Sequence, residues 1–155
     1  MKTTVGEINV LPHNSHYADP KHEGKFINNP KATYKTYTEI KAWLDTYKNT
    51  HKFVEHKYVC GDFAADVHNA AERAGIKCRE VHIKYIGSWT GHIMVNFHTK
   101  EGGDIFYDGS AHGAIYTVPT LLGKRSATRK VTKIPSSIYP HYKGTKGIDF
   151  IIVAE

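Results

Sequence analysis

The 155-residue sequence contains no glutamine, only two cysteines, two methionines and two tryptophans. Any site that needs a glutamine side chain is therefore excluded. Two cysteines cannot build the multi-bridge framework that staples small secreted domains. No segment approaches the roughly 18–20 consecutive apolar residues of a membrane span, so no membrane partner is expected. The start of the chain, Met1-Lys2 followed by polar residues, has no apolar signal-peptide segment. Sparse cysteine slightly favours the cytoplasm, and a secreted protein whose signal has been removed stays open as the alternative. Acidic residues are missing from one long stretch. None occurs between Asp108 and Asp149, where Lys124, Arg125, Arg129, Lys130, Lys133, Lys143 and Lys146 all fall. Setting those seven aside leaves 14 basic against 15 acidic residues, so the net charge of +6 sits in the C-terminal quarter.

What is present is the composition of a globular domain, 40% hydrophobic and 23% charged. The length suits one domain with one moderate core. We read residues 1–155 as that domain, in three parts. Residues 1–35 form a loop-rich N-terminal arm with one short strand at Ile8–Leu11. Residues 36–110 form the core, and residues 111–155 form basic C-terminal strands. Thr36 and Glu39 have capping-box spacing, and Ile40, Trp43, Leu44 and Tyr47 follow at helical spacing, which predicts a helix over 37–48. Residues 49–57 are polar, basic and irregular. Phe63, Val67, Ala70, Ala71 and Ala74 share a face of a second helix that starts at or just after Cys60 and stops at Gly75. Val81, Ile83 and Tyr85 alternate as in a strand. So do Ile93, Val95 and Phe97, with His92, Met94, Asn96 and His98 on the opposite face. A third strand covers Asp104–Asp108, after a hairpin loop at Thr99–Gly103. Further strands are expected at Ile115–Val118, Arg129–Ile134 and Ile148–Val153. Helices followed by a run of strands make the fold class α+β, with N-terminal helices packed on a mainly antiparallel sheet.

Three placements stand together. Cys60 opens a helix, His92 starts a strand, and Asp108 ends its hairpin neighbour. A helix N-terminus carries unpaired N–H groups and partial positive charge, both of which stabilise a thiolate. The Cys60 N–H is a candidate donor to an oxyanion. His92 is a candidate general base and acid. In a hairpin turning near Lys100 it meets Asp108 at the same end, where the carboxylate holds the imidazole. Singly, each residue has a plainer reading: a small buried thiol, one of 11 histidines, a turn-forming aspartate. Jointly, the catalytic reading is the better one.

The run Tyr58-Val-Cys60-Gly-Asp-Phe63-Ala64, then Ala71-Glu72 and Gly75-Ile76, resembles the transglutaminase-like superfamily, above all its compact microbial members. Gly91-His92, Asn96-Phe97-His98-Thr99 and the closing Ile105-Phe-Tyr107-Asp108 extend the resemblance, which covers about 36–110. It implies a papain-like α+β core and a catalytic triad of Cys60 as nucleophile, His92 as base and Asp108 as orienting carboxylate. Papain-like sites often take a second oxyanion donor from a glutamine upstream of the cysteine, which this chain lacks. Larger transglutaminases use a tryptophan or similar donor there, and Trp43, Tyr47, His56 and Tyr58 are the upstream choices. The calcium sites and extra β-domains of animal transglutaminases have no room in this chain, so the resemblance implies cofactor-free chemistry.

The remaining residues divide as follows. Tyr58, Trp89 and Gly91 are the substrate-binding candidates. Trp89 suits the wall of an acyl groove and equally a loop aromatic resting on the core edge. About 14 helical residues separate Cys60 from Cys78, around 20 Å, beyond the roughly 7 Å reach of a disulfide, so Cys78 is expected to be a buried strand-start residue. His98 reads as an exposed strand histidine sooner than as support for His92, and His112, in the Gly- and Ala-rich loop after Asp108, is not counted among the site residues. His13, His16 and His22 fit no common zinc signature, so no metal is expected. The Lys124–Lys133 stretch has few aromatics and reads as a solvated basic surface, which disfavours nucleic acid.

The expected function is cysteine-dependent acyl transfer on peptide, isopeptide or carboxamide bonds through a thioester, with hydrolysis by a peptidase or amidase favoured. The alternatives are a protein-glutamine gamma-glutamyltransferase, and a non-catalytic module of the same fold binding an anionic polymer. The expected partner is a peptide or protein substrate, with the basic stretch biasing choice toward acidic chains. A metal site made from Cys60, His92 and Asp108 is a weaker reading.

Overall fold

Thr36 closes the first turn of helix α1 (Tyr37–Thr46) with a full capping box. Its hydroxyl accepts from the Glu39 N–H at 3.2 Å, and the Glu39 carboxylate accepts from the Thr36 N–H at 2.8 Å. Ile40 and Leu44, one turn apart, are buried. The helix stops at Thr46, two residues before the predicted end. There the Thr46 hydroxyl takes the Trp43 carbonyl at 2.7 Å. Tyr47 turns extended (φ −67°, ψ 132°) and lays its ring on Trp43, with centroids 5.4 Å apart. Side-chain packing thus ends the helix where propensity alone would have continued it.

The computed structural model describes the backbone over residues 3–11, 26–85, 91–111, 114–118, 128–135 and 148–154, and side chains over 26–82 and 92–110. Helix α2 (Cys60–Arg73) follows the irregular 47–59 segment. It ends in a Schellman motif: Ile76 N–H bonds the Ala71 carbonyl, Gly75 N–H bonds that of Glu72, and Gly75 takes φ +82°. Ile76 and Ala71 are both buried in the core beside this bond pair. Glu72 is buried and ties neighbouring chain to the helix, accepting from the Cys78 N–H at 2.9 Å and the Asn29 N–H at 3.1 Å.

Among the described residues seven strands form one sheet: β1 (Thr3–Leu11), β2 (Arg79–Tyr85), β3 (Gly91–His98), β4 (Asp104–Asp108), β5 (Ala114–Val118), β6 (Thr128–Pro135) and β7 (Ile148–Ala154). Their order is β5-β4-β3-β2-β7-β1-β6. Neighbours run antiparallel except β1 and β7, which are parallel. The chain is α+β with a mainly antiparallel sheet. The strand expected at Ile8–Leu11 is the end of the longer β1, which lies between β7 and β6.

Strand alternation decides which side chains meet the helices. Ile93, Val95, Phe97, Ile105 and Tyr107 pack with Ile40, Leu44, Ala64, Val67 and Ala71 in one core. The opposite face of β3 and β4, with Met94, Asn96, Phe106 and Asp108, is buried as well. The β3–β4 hairpin turns through Thr99–Gly103, closed by Thr99 N–H to Gly103 O at 2.9 Å, with Gly102 at φ +98°. Among the described residues no helix is long and apolar enough to cross a membrane.

Candidate active site

Hairpin register brings the first pair of site residues together. Val95 faces Tyr107, so Asp108 falls opposite Met94, and His92, two residues from Met94 on the same face, becomes its diagonal neighbour. His92 Nε2 lies 2.6 Å from Asp108 Oδ2. The imidazole is 3% exposed and the carboxylate fully buried, so no water competes for this bond. The other Asp108 oxygen, Oδ1, accepts from the Ser110 hydroxyl at 2.6 Å and the Ser110 N–H at 3.0 Å. Both carboxylate oxygens are therefore committed.

Cys60 comes to the same place from the helical side. The first turn of α2 packs on the 3-10 turn Gly109–Ala111 that follows Asp108. The fit is close, since a Cβ on Gly109 would lie 3.3 Å from Phe63 Cβ. Cys60 comes near enough to the His92 imidazole to raise its pKa. With Nε2 on Asp108, Nδ1 is the ring nitrogen left for the thiol. The serine-protease template has the ring the other way round, with Nδ1 on the carboxylate.

The electrostatics follow from these contacts. Burial pulls the His92 pKa down. The hydrogen bonds to Asp108 and Cys60 and their negative charge outweigh it, and the value rises from 6.5 to about 9. Burial pushes Asp108 up, but His92 and Ser110 win and hold it below its ordinary 3.8. The imidazole is thus cationic at neutral pH, between the Asp108 carboxylate and the Cys60 sulfur. Cys60 is half-buried and free. Cys78 is free and buried just before β2, where burial, then the Glu72 charge, pushes its thiol well above the ordinary value.

The start of α2 is open. Its N-cap is Val59, whose side chain accepts nothing. Asp62 Oδ2 accepts the Val59 N–H at 2.9 Å, which is only half of a capping box. The N–H groups of Cys60 and Gly61, in the first turn, have no partner within the helix.

A groove of about 600 Å³ opens alongside the triad. It is lined by Tyr107, Gly109 and Ser110, which flank Asp108, by Phe63, one turn beyond Cys60, and by the loop residues Tyr47, Lys48, Asn49, His51, Lys52 and Phe53.

The other sequence candidates separate from the triad. Tyr58 spends its hydroxyl on Asp66 and accepts from Asn49 Nδ2 at 2.9 Å, while its ring stacks on His51 at 4.3 Å. It fastens the 47–58 loop to α2 and does not line the groove. Gly91 is the first residue of β3, beside His92. Trp89 lies outside the described residues, as do His13, His16, His22 and His112. His98 sits at the far end of the hairpin, where its Nδ1 meets Asp104 at 3.2 Å and its ring meets Tyr34 edge-on, so it is largely buried and not the exposed histidine expected. Of the upstream donor choices, His56 is exposed and points its backbone into a turn (φ +62°). Trp43 and Tyr47, like Cys60, pack against the core, and burial pushes Tyr47 up to about 12, so it keeps its proton. Among the described residues no group of three His, Cys, Asp or Glu side chains could hold a metal ion.

Sequence reasoning did not single out Ser110, although an Asp followed two residues later by Ser is a local side-chain turn pattern. It also passed over Lys48, read as the last residue of the first helix, and Lys52, in a segment read only as irregular. Of the basic C-terminal residues, Arg129, Lys130 and Lys133 fall on edge strand β6, with β1, β7 and β2 between it and β3. Lys124, Arg125, Lys143 and Lys146 lie outside the described residues. Comparison with family models, curated proteins and solved structures finds no match to this chain.

Proposed function

We propose that the chain is a cysteine-dependent acyl-transfer enzyme on a transglutaminase-like, papain-like core, acting on peptide, isopeptide or carboxamide bonds. The observation that carries this reading is the buried His92–Asp108 bond, with Cys60 at the start of α2 acting on the same imidazole. A binding module has no chemical need for a buried imidazolium between a carboxylate and a half-exposed thiol.

The steps follow from the contacts. Cys60 reacts as the thiolate, its proton already held by His92, which stands beside it as an imidazolium. The thiolate attacks the substrate carbonyl carbon, and the carbonyl oxygen takes up the negative charge against the first-turn N–H groups at Cys60 and Gly61. His92 then gives its proton to the departing nitrogen, the C–N bond breaks, and a thioester remains on Cys60. Water, deprotonated by His92, attacks the thioester, expels the thiolate and releases the acid. Asp108 keeps its charge throughout and holds the ring, itself held by Ser110. An amine in place of water would make the same site a transferase. We favour water because bulk solvent competes for a thioester wherever no acceptor amine is bound.

The test is acylation by p-nitrophenyl acetate. The expected result is a burst of p-nitrophenol with the acetyl group carried on Cys60, absent in Cys60→Ala. Acetylation spread over surface lysines with no burst would overturn the reading. Adding a primary amine to the acylated enzyme separates transfer from hydrolysis by the product formed.

A further inference from the structure

The groove beside the triad has a one-sided charge. Lys48 and Lys52 line it, and among the described residues no carboxylate does. Nearby acidic groups are already engaged. Both oxygens of Asp108 are held by His92 and Ser110. Asp66 accepts the Tyr58 hydroxyl. Glu55, the only acidic residue between Tyr47 and Tyr58, has an 81% exposed side chain lying by His56 and is not in the lining. The walls are apolar and aromatic: Tyr47, Phe53, Phe63 and Tyr107. A volume of about 600 Å³ is within the range of small-ligand and peptide side-chain sites. The loop that supplies the lysines is fixed, because Tyr58 anchors it to α2 through Asp66 and to itself through Asn49 and His51. Strand β6, which carries Arg129, Lys130 and Lys133, is separated by β3, β2, β7 and β1 from β4, whose Tyr107 lines the groove.

We propose that this groove is the subsite for an acidic acyl-donor peptide, one with an aspartate or glutamate beside the reacting residue. The substrate carboxylate meets Lys48 and Lys52, and the neighbouring apolar part of the chain lies on the aromatic walls. The inference rests on the acyl-transfer reading and supplies its substrate class. Selectivity for acidic peptides then belongs to the 48–52 loop and not to the C-terminal basic strand. A charge pair in a half-enclosed groove discriminates strongly against a like charge in the same place.

The test uses two dipeptidyl iodoacetamides, identical except for Glu or Lys beside the reactive group, with plain iodoacetamide as a third reagent. Each reacts by Sγ displacing iodide. The Glu reagent is expected to label Cys60 at least about tenfold faster than the Lys reagent at low salt. In the Lys48→Glu/Lys52→Glu variant the ratio is expected to fall to about one or to invert, and in Lys31→Glu it is expected to persist. Both substituted lysines are exposed, and comparing two reagents within one variant removes any general change in reactivity. A ratio of one in the native protein overturns the subsite. So does a ratio that survives Lys48→Glu/Lys52→Glu but collapses in Arg129→Glu/Lys130→Glu/Lys133→Glu. Slow labelling by plain iodoacetamide would instead overturn the acyl-transfer reading itself.

Discussion

Ser110 holds Asp108 by two hydrogen bonds to a single carboxylate oxygen, from Oγ at 2.6 Å and from N at 3.0 Å, and so leaves the other oxygen to His92. The carboxylate cannot rotate without losing all three. Because the Ser110 hydroxyl lowers the Asp108 pKa, its loss raises that value. Ser110→Ala is therefore expected to slow Cys60 acylation several-fold and to move the acid limb of its pH profile upward. Ser110→Thr is expected to restore both. A uniformly slower variant with an unmoved acid limb would reduce Ser110 to a packing residue.

The same contacts make stability depend on pH in a defined window. His92 is raised from 6.5 to about 9, so its contribution is complete below 6.5 and is lost as the pH rises through about 9. Asp108 is lowered from 3.8, so its contribution is complete above 3.8 and is lost as the pH falls through the lower folded value. The pair stabilises most between these limits. Urea midpoints of the native protein and of Asp108→Asn/His92→Gln are expected to converge between about pH 6.5 and 9. A difference that stays constant across that range would contradict the assignment.

Removing one partner alone is a different experiment. His92→Ala leaves the buried Asp108 charge with Ser110 only, and loss of half a buried pair costs about 3–5 kcal/mol. Denaturant unfolding with the wild type as reference measures it. A loss under about 1 kcal/mol would mean that the pair is solvated in solution.

Phe97 is fully buried where β3 meets α1, with its ring 6.4 Å from Trp43. Phe97→Ala is expected to cost about 3–5 kcal/mol. Thr36→Ala, which removes a surface helix cap, is expected to cost about 1 kcal/mol. Urea unfolding of both variants checks the order, and a larger loss in Thr36→Ala would contradict the placement of the core.

Much of this was legible in the sequence because it was local. The capping box at Thr36 and Glu39, the stop at Gly75 and the alternation of Ile93, Val95 and Phe97 are set by near neighbours. So is the hairpin through Thr99–Gly103, and hairpin geometry is what carries His92 to Asp108. What was not legible depends on distant packing. The end of α1 moved to Thr46 because Tyr47 packs on Trp43 and Tyr107, which no spacing rule contains. His98 was read as exposed, but Tyr34 and Asp104 enclose it, and Tyr34 is far away in sequence. The role of the 48–52 loop was hidden because its lysines look like any solvated run until Tyr58 ties them beside the triad.

The central claim is that Cys60 is a nucleophile made reactive by His92, and thiol alkylation tests it most directly. Iodoacetamide at neutral pH is expected to label Cys60 quickly, to leave the buried Cys78 unlabelled while the protein stays folded, and to slow at Cys60 by about a hundredfold or more in His92→Ala. Slow and equal labelling of Cys60 and Cys78, unchanged in His92→Ala, would contradict it.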